Sequence, residues 1–97
     1  MAEARWPAPL LSAQKAPPEL EARLRCVLAR YDATEQEARR QGTHSGAVAL
    51  LDLSANRVRR EFAGGLYADA ALSLDRLTVD VDQLRAGLGL STDEACA

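Results

Sequence analysis

The side chains best equipped for chemistry in this chain are a set of aspartates, one histidine, a run of arginines and two cysteines. Asp69, Asp75, Asp80 and Asp82 crowd one segment, and paired carboxylates are what general acid–base work or hard-cation binding requires. On a helix, however, Asp75 and Asp82 share a face two turns apart while Asp80 points elsewhere, and no acidic loop with a turn glycine surrounds them. A solvated helix face is expected. His44 beside Ser45 has the composition of a base and a nucleophile, yet adjacent loop residues seldom align, and no third group is spaced to orient the imidazole. The expected roles are an exposed histidine and a helix cap.

Arg57, Arg59 and Arg60 carry enough charge to grip a phosphate, but successive helix positions fan over a wide arc, and Glu61 adjoins them. They fit better as cations complementing the negative end of a helix dipole. Gly64-Gly65 has neither the lysine nor the preceding strand of a phosphate loop. Cys26 and Cys96 are too few for a disulfide framework, so reduced thiols are expected. A zinc site would need further soft ligands, and His44, the only histidine, has none spaced to join it. No catalytic residue, cofactor-binding residue, cofactor or metal ligand is expected.

The elements that position these groups are read from apolar spacing. Leu20, Leu24, Val27, Tyr31, Thr34 and Ala38 form one stripe; Val48, Leu51, Ala55, Val58 and Phe62 a second; Tyr67, Ala70, Leu74, Leu77, Val81, Leu84 and Leu88 a third. Steps alternating between three and four keep each stripe on one helix face, able to mate along its length as in a coiled coil. The expected fold is all-α: a small antiparallel up-down-up three-helix bundle with helices at about 18–41, 46–63 and 66–86. The one competing segment, Leu77 to Asp82, alternates apolar and polar like a strand, but an isolated strand would leave its backbone unpaired. It is read as helix.

Residues 1–17 are read as an irregular Pro-rich leader, 18–90 as the bundle and 91–97 as a frayed tail, with all four prolines in the first 18 residues. Pro17 and Pro18 suit a first helical turn, Glu19 and Glu21 the positive helix start, and Ser45 the N-cap of the second helix. Glu19 to Arg23, Glu21 to Arg25 and Glu35 to Arg39 are acid-before-base pairs four apart that mark the solvated side. Gly65, Tyr67 and Ala70 resemble the G-x-Y-x-x-A turn that opens the second helix of tetratricopeptide modules. The likeness covers less than one repeat, has no second copy at a 34-residue period, and implies only a helix turn there.

Function is read from what the stripes leave over. Leu50 and Leu53 on the second helix, with Leu72 and Val79 on the third, lie off the seam and need a second neighbour. Trp6, Leu10 and Leu11 give the leader the size and spacing of an apolar anchor. The expectation is a non-enzymatic adaptor or complex subunit that binds a partner helix, or itself, through these residues. The alternative is a small helical enzyme or ligand-binding bundle with a polar pocket built from Arg57, Glu61, Asp75 or Arg76. A net charge of −2 with interleaved signs gives no footprint for nucleic acid or an anionic membrane. The longest apolar run, five residues from Ala47 to Leu51, is far short of the roughly 20 that span a bilayer. Glu3 and Arg5 precede a Pro-broken start that lacks the core of a secretory signal, so a cytoplasmic setting is expected, with the nucleus allowed.

Overall fold

The computed structural model describes residues 15–92 and 96. Three helices follow one another: α1 (Pro18–Gln41), α2 (Ser45–Ala63) and α3 (Tyr67–Gly87). The segment from Leu77 to Asp82 is continuous helix. α1 starts where its prolines allow. Pro17 occupies the cap position, Pro18 the first turn, and the first backbone bond runs from the Glu21 amide to the Pro17 carbonyl at 3.0 Å.

The three stripes become the core. Val27, Ala38, Leu51, Ala55, Val58, Ala70, Leu74, Leu77 and Val81 are all essentially shielded from solvent. Leu20 and Phe62, nearer helix ends, pack against this core while remaining partly exposed. Phe62 meets Tyr67 edge to face across the second turn, ring centroids 5.3 Å apart. Thr34 is the one polar residue fully inside among those described, and it is satisfied. Its hydroxyl donates to the Arg30 carbonyl at 2.7 Å and accepts from Arg85 Nη1 at 3.3 Å.

Both turns that follow α2 and α3 are built the same way. Gly65 has φ 78°; its amide bonds the Phe62 carbonyl and the Leu66 amide reaches back to the Glu61 carbonyl. Gly89 has φ 79° and repeats the pattern, with its own amide on Ala86 and the Leu90 amide on Arg85. This two-bond closure needs a left-handed residue, which glycine supplies without steric cost. The turn before α2 departs from expectation. His44, not Ser45, holds the cap position with φ 62°; no side chain caps this end, and Ser45 is the first helical residue. The His44 ring turns instead onto Thr43, Nδ1 to Oγ1 at 2.7 Å.

Polar pairs set the register of α1 against α3. Arg23 pairs with Asp75 at 2.6 Å, Arg30 with Asp82 at 2.7 Å, and Gln41 Nε2 donates to the Leu88 carbonyl at 3.3 Å. Residue numbers rise together along both helices, so α1 and α3 run in the same direction and α2 runs against them. The two aspartates expected on a solvated face are thus ion-paired. Arg23 and Arg30 are only 26% and 13% exposed. Arg23 points to Asp75 and Thr78, away from the Glu19 expected to hold it. The Glu21–Arg25 and Glu35–Arg39 pairs form as expected, at 2.7 and 3.0 Å.

The cysteines are the largest departure. Cys26 and Cys96, expected as separate thiols, are joined in a disulfide that spans 70 residues of sequence. Cys26 lies three residues from Arg23 and four from Arg30, on the flank that α1 turns to α3. Cys96 packs partly buried against the core, which ties the far end of the segment read as a frayed tail to the first helix.

Candidate functional site

Four large aliphatic residues of α2 and α3 stay in solvent: Leu50 (67% exposed), Leu53 (66%), Leu72 (70%) and Val79 (51%). They are the four that the stripes leave over, and the reason is angular. At 100° per residue, Leu72 stands about 160° from Leu74, and Val79 about 140°, so neither reaches the seam. Leu50, Leu53 and Leu72 line one groove of about 640 Å³ between α2 and α3, together with Ala47, Ser54, Arg57, Ser73, Arg76, Asp80 and Gln83. No α1 residue lines it. Val79 lies beyond its rim. Trp6, Leu10 and Leu11 fall outside the described residues. Leu66, 53% exposed in the second turn, is a further apolar residue in solvent; as the residue following a left-handed glycine, it is set outward by the turn.

Of the four polar residues that the alternative reading places in a pocket, Arg57, Arg76 and Glu61 stay on the groove side and only Asp75 turns away. Arg57 and Arg76 line the groove. Asp75 turns to Arg23. Glu61 accepts from the Ser73 hydroxyl at 2.6 Å and from Arg57 Nε at 3.1 Å. The Ser73 hydrogen bond, opposed by burial and supported by individually weaker contributions from Arg57 and Arg60, holds the Glu61 carboxyl below the ordinary glutamate range. Arg76 and Asp80 also line the groove, and among the described residues neither makes an ion pair or hydrogen bond.

A second polar cluster sits on the opposite side, between α1 and α2. The buried Tyr31 donates its hydroxyl to Asp52, Arg59 lies 5.6 Å from the Tyr31 ring centroid, and Arg39 stands 3.8 Å from Asp52. Burial and then the Asp52 carboxylate push the Tyr31 hydroxyl far above its ordinary pKa. Burial works to raise Asp52, but hydrogen bonds with Tyr31 and Glu35 and the nearby Arg39 and Arg59 outweigh it and leave the carboxyl low. The raised phenol and the lowered carboxyl both favour the state in which Tyr31 donates to Asp52. These contacts link α1 to α2. Among the described residues no group of three or more His, Cys, Asp or Glu side chains is arranged to hold a metal ion.

No family model, curated protein or solved structure matches the chain. The tetratricopeptide-like turn at Gly65, Tyr67 and Ala70 is therefore a local likeness, in keeping with α3 opening at Tyr67. Among the described residues, no helix is long and apolar enough to cross a membrane. The groove combines the exposed Leu50, Leu53 and Leu72 with Arg76 and Asp80, which have no ion-pair partner among the described residues.

Proposed function

We propose that this chain is a non-enzymatic protein–protein interaction module, an adaptor or a subunit of a helical complex, that receives a helix on the outer face of its α2–α3 hairpin. The observation that supports it is the placement of Leu50, Leu53 and Leu72 in one groove at 66–70% exposure. Scattered single leucines on a surface are ordinary, whereas three lining one groove support a surface that gains from being covered. The occupant is a partner helix or a second copy, docked in the manner of a coiled coil, and Val79, Trp6, Leu10 and Leu11 are assigned to the same work. Nucleic acid and membrane are not assigned as partners, given the interleaved charge. The cytoplasmic setting expected from the sequence would open the Cys26–Cys96 bond, which persists only in an oxidising compartment.

A photoreactive residue placed at Leu53 tests the reading, with Gln36 on the exposed side of α1 as control. Irradiation of the native cell should give an adduct of discrete mass from position 53 and not from position 36. Absence of a discrete adduct at 53, or the same adducts at both positions, would refute it.

A further inference from the structure

Resting on that reading, the charges in the groove name the occupant: we propose that it is a second copy of this chain, packed antiparallel about a two-fold axis, with Arg76 of each copy paired to Asp80 of the other. Of the groove's three ionic side chains, Arg57 is already matched by Glu61 at 3.1 Å. That leaves Arg76 and Asp80. They lie four residues apart on α3 in the base-before-acid order, the weaker orientation for an internal helix pair, and they do not pair with each other. A complementary surface must present one acid and one base at the same separation in the reverse order. An antiparallel α3 presents this pair.

The rest of the groove obeys the same symmetry. Its α3 lining runs from Leu72 to Gln83, about 16 Å at 1.5 Å per residue. Counting back from the Gly64-Gly65 turn along antiparallel helices sets Arg57 beside Leu72, Ser54 beside Arg76, Leu50 beside Asp80 and Ala47 beside Gln83. A two-fold axis between Arg76 and Asp80 exchanges the two ends. Leu72 of one copy then falls opposite Gln83 of the other, Leu50 opposite the small Ser54, and Leu53, near the axis, meets its own counterpart. An isologous interface requires this kind of self-complementarity, bulk against small and acid against base. A foreign helix would have to supply the same arrangement; the copy carries it already. At a net charge of −2 per chain, two copies repel each other only weakly at physiological salt.

The test uses the 97-residue chain with its disulfide formed, in light scattering and sedimentation from about 1 μM to about 500 μM, a range that brackets micromolar association. Wild type should rise from one chain mass to two. Arg76→Asp and Asp80→Arg each place like charges across the axis and should remain at one chain mass, while an equimolar mixture of the two variants should recover the dimer. The double variant Arg76→Asp/Asp80→Arg should recover it as well. Arg76 is exposed and Asp80 half-buried at the groove, and neither holds an ion pair within the chain, so circular dichroism should be unchanged in every variant. A wild type that remains monomeric throughout, or single variants that dimerise as well as wild type, would overturn the second copy as occupant. In that case a discrete adduct of some other mass at Leu53 leaves the interaction-module reading standing, and no adduct there removes both.

Discussion

Opening the Cys26–Cys96 bond is the sharpest perturbation available, because it changes one covalent link and no side-chain packing elsewhere. The link closes a loop of 70 residues. Loop-closure entropy for that length is about −15 cal/mol/K, so the bond stabilises the fold by up to about 4.4 kcal/mol at 25 °C, with about 2 kcal/mol as the lower bound common for native bridges. For a domain of this size each kcal/mol moves the melting temperature by about 4–8 °C, so reduction should lower it by roughly 10–30 °C. Cys26 is exposed, which gives reductant access without prior unfolding. The assay is thermal unfolding by circular dichroism with and without dithiothreitol, opening of the bridge being verified by thiol titration. Cys26→Ser, Cys96→Ser and the double variant should all match the reduced wild type, since each removes the same constraint. A reduced protein melting within about 2 °C of the oxidised one would refute the reasoning and mean that the tail is held by its packing alone.

Two further perturbations probe the polar framework. Tyr31→Phe leaves ring packing intact but removes the donor to Asp52, and should cost about 1.5 kcal/mol by urea unfolding, the low end for a bond to a charged acceptor because Arg39 still stands 3.8 Å away; nuclear magnetic resonance titration should show the Asp52 carboxyl rising toward its ordinary value. Acid should destabilise the fold through carboxylates held low in the native state. Glu37, hydrogen-bonded by Arg40 and Gln41, lies at about 2, and Asp52 and Glu61 are also lowered. A depressed folded pKa contributes stability above the unfolded value near 4 that is lost as pH falls through the folded one. The urea midpoint should therefore be flat from pH 7 to about pH 5 and fall steadily toward pH 2, and a midpoint constant to pH 2.5 would contradict this.

Much of this architecture was legible because helix packing writes itself into apolar spacing. The stripes locate the buried face of each helix, and glycines at 42, 64 and 65 with basic residues before them mark two of the ends. Polar links between helices were harder to read, since a charge pair depends on the rotation of one helix against another. A trace was nonetheless present. Arg23 and Arg30 are seven residues apart, as are Asp75 and Asp82, and two such spacings on parallel helices pair at a constant offset. The disulfide left a weaker trace: Cys26 lies on that same flank, but nothing local in residues 91–97 says that the chain returns to it. Ser45 failed as a cap because the chain enters α2 through a left-handed His44, which shifts the helix start onto the serine. The groove was half legible. The four stranded aliphatics stood out by phase, while the unmatched Arg76 and Asp80 emerge only once Arg57, Glu61, Asp75 and Arg23 are seen to be occupied.

The strongest separation of folding from docking lies within the leucines themselves. Leu77 is fully buried, whereas Leu53 is 66% exposed and Leu72 70%. If the core is complete within one chain, Leu53→Gln and Leu72→Gln remove little buried area and should change urea stability by less than about 0.5 kcal/mol when measured near 1 μM, where association is negligible. Leu77→Ala should cost about 2–5 kcal/mol under the same conditions, from lost burial plus the cavity left between three helices. At several hundred micromolar the order should change for the surface pair alone: the glutamine variants lose the concentration-dependent gain in melting temperature that binding gives wild type, because a ligand specific to the folded state stabilises it by mass action. A bundle whose stability at high dilution fell by about 2 kcal/mol on Leu53→Gln would show that this leucine belongs to the core of the single chain, and the groove would then be a packing defect of the fold, with nothing left for a partner to cover.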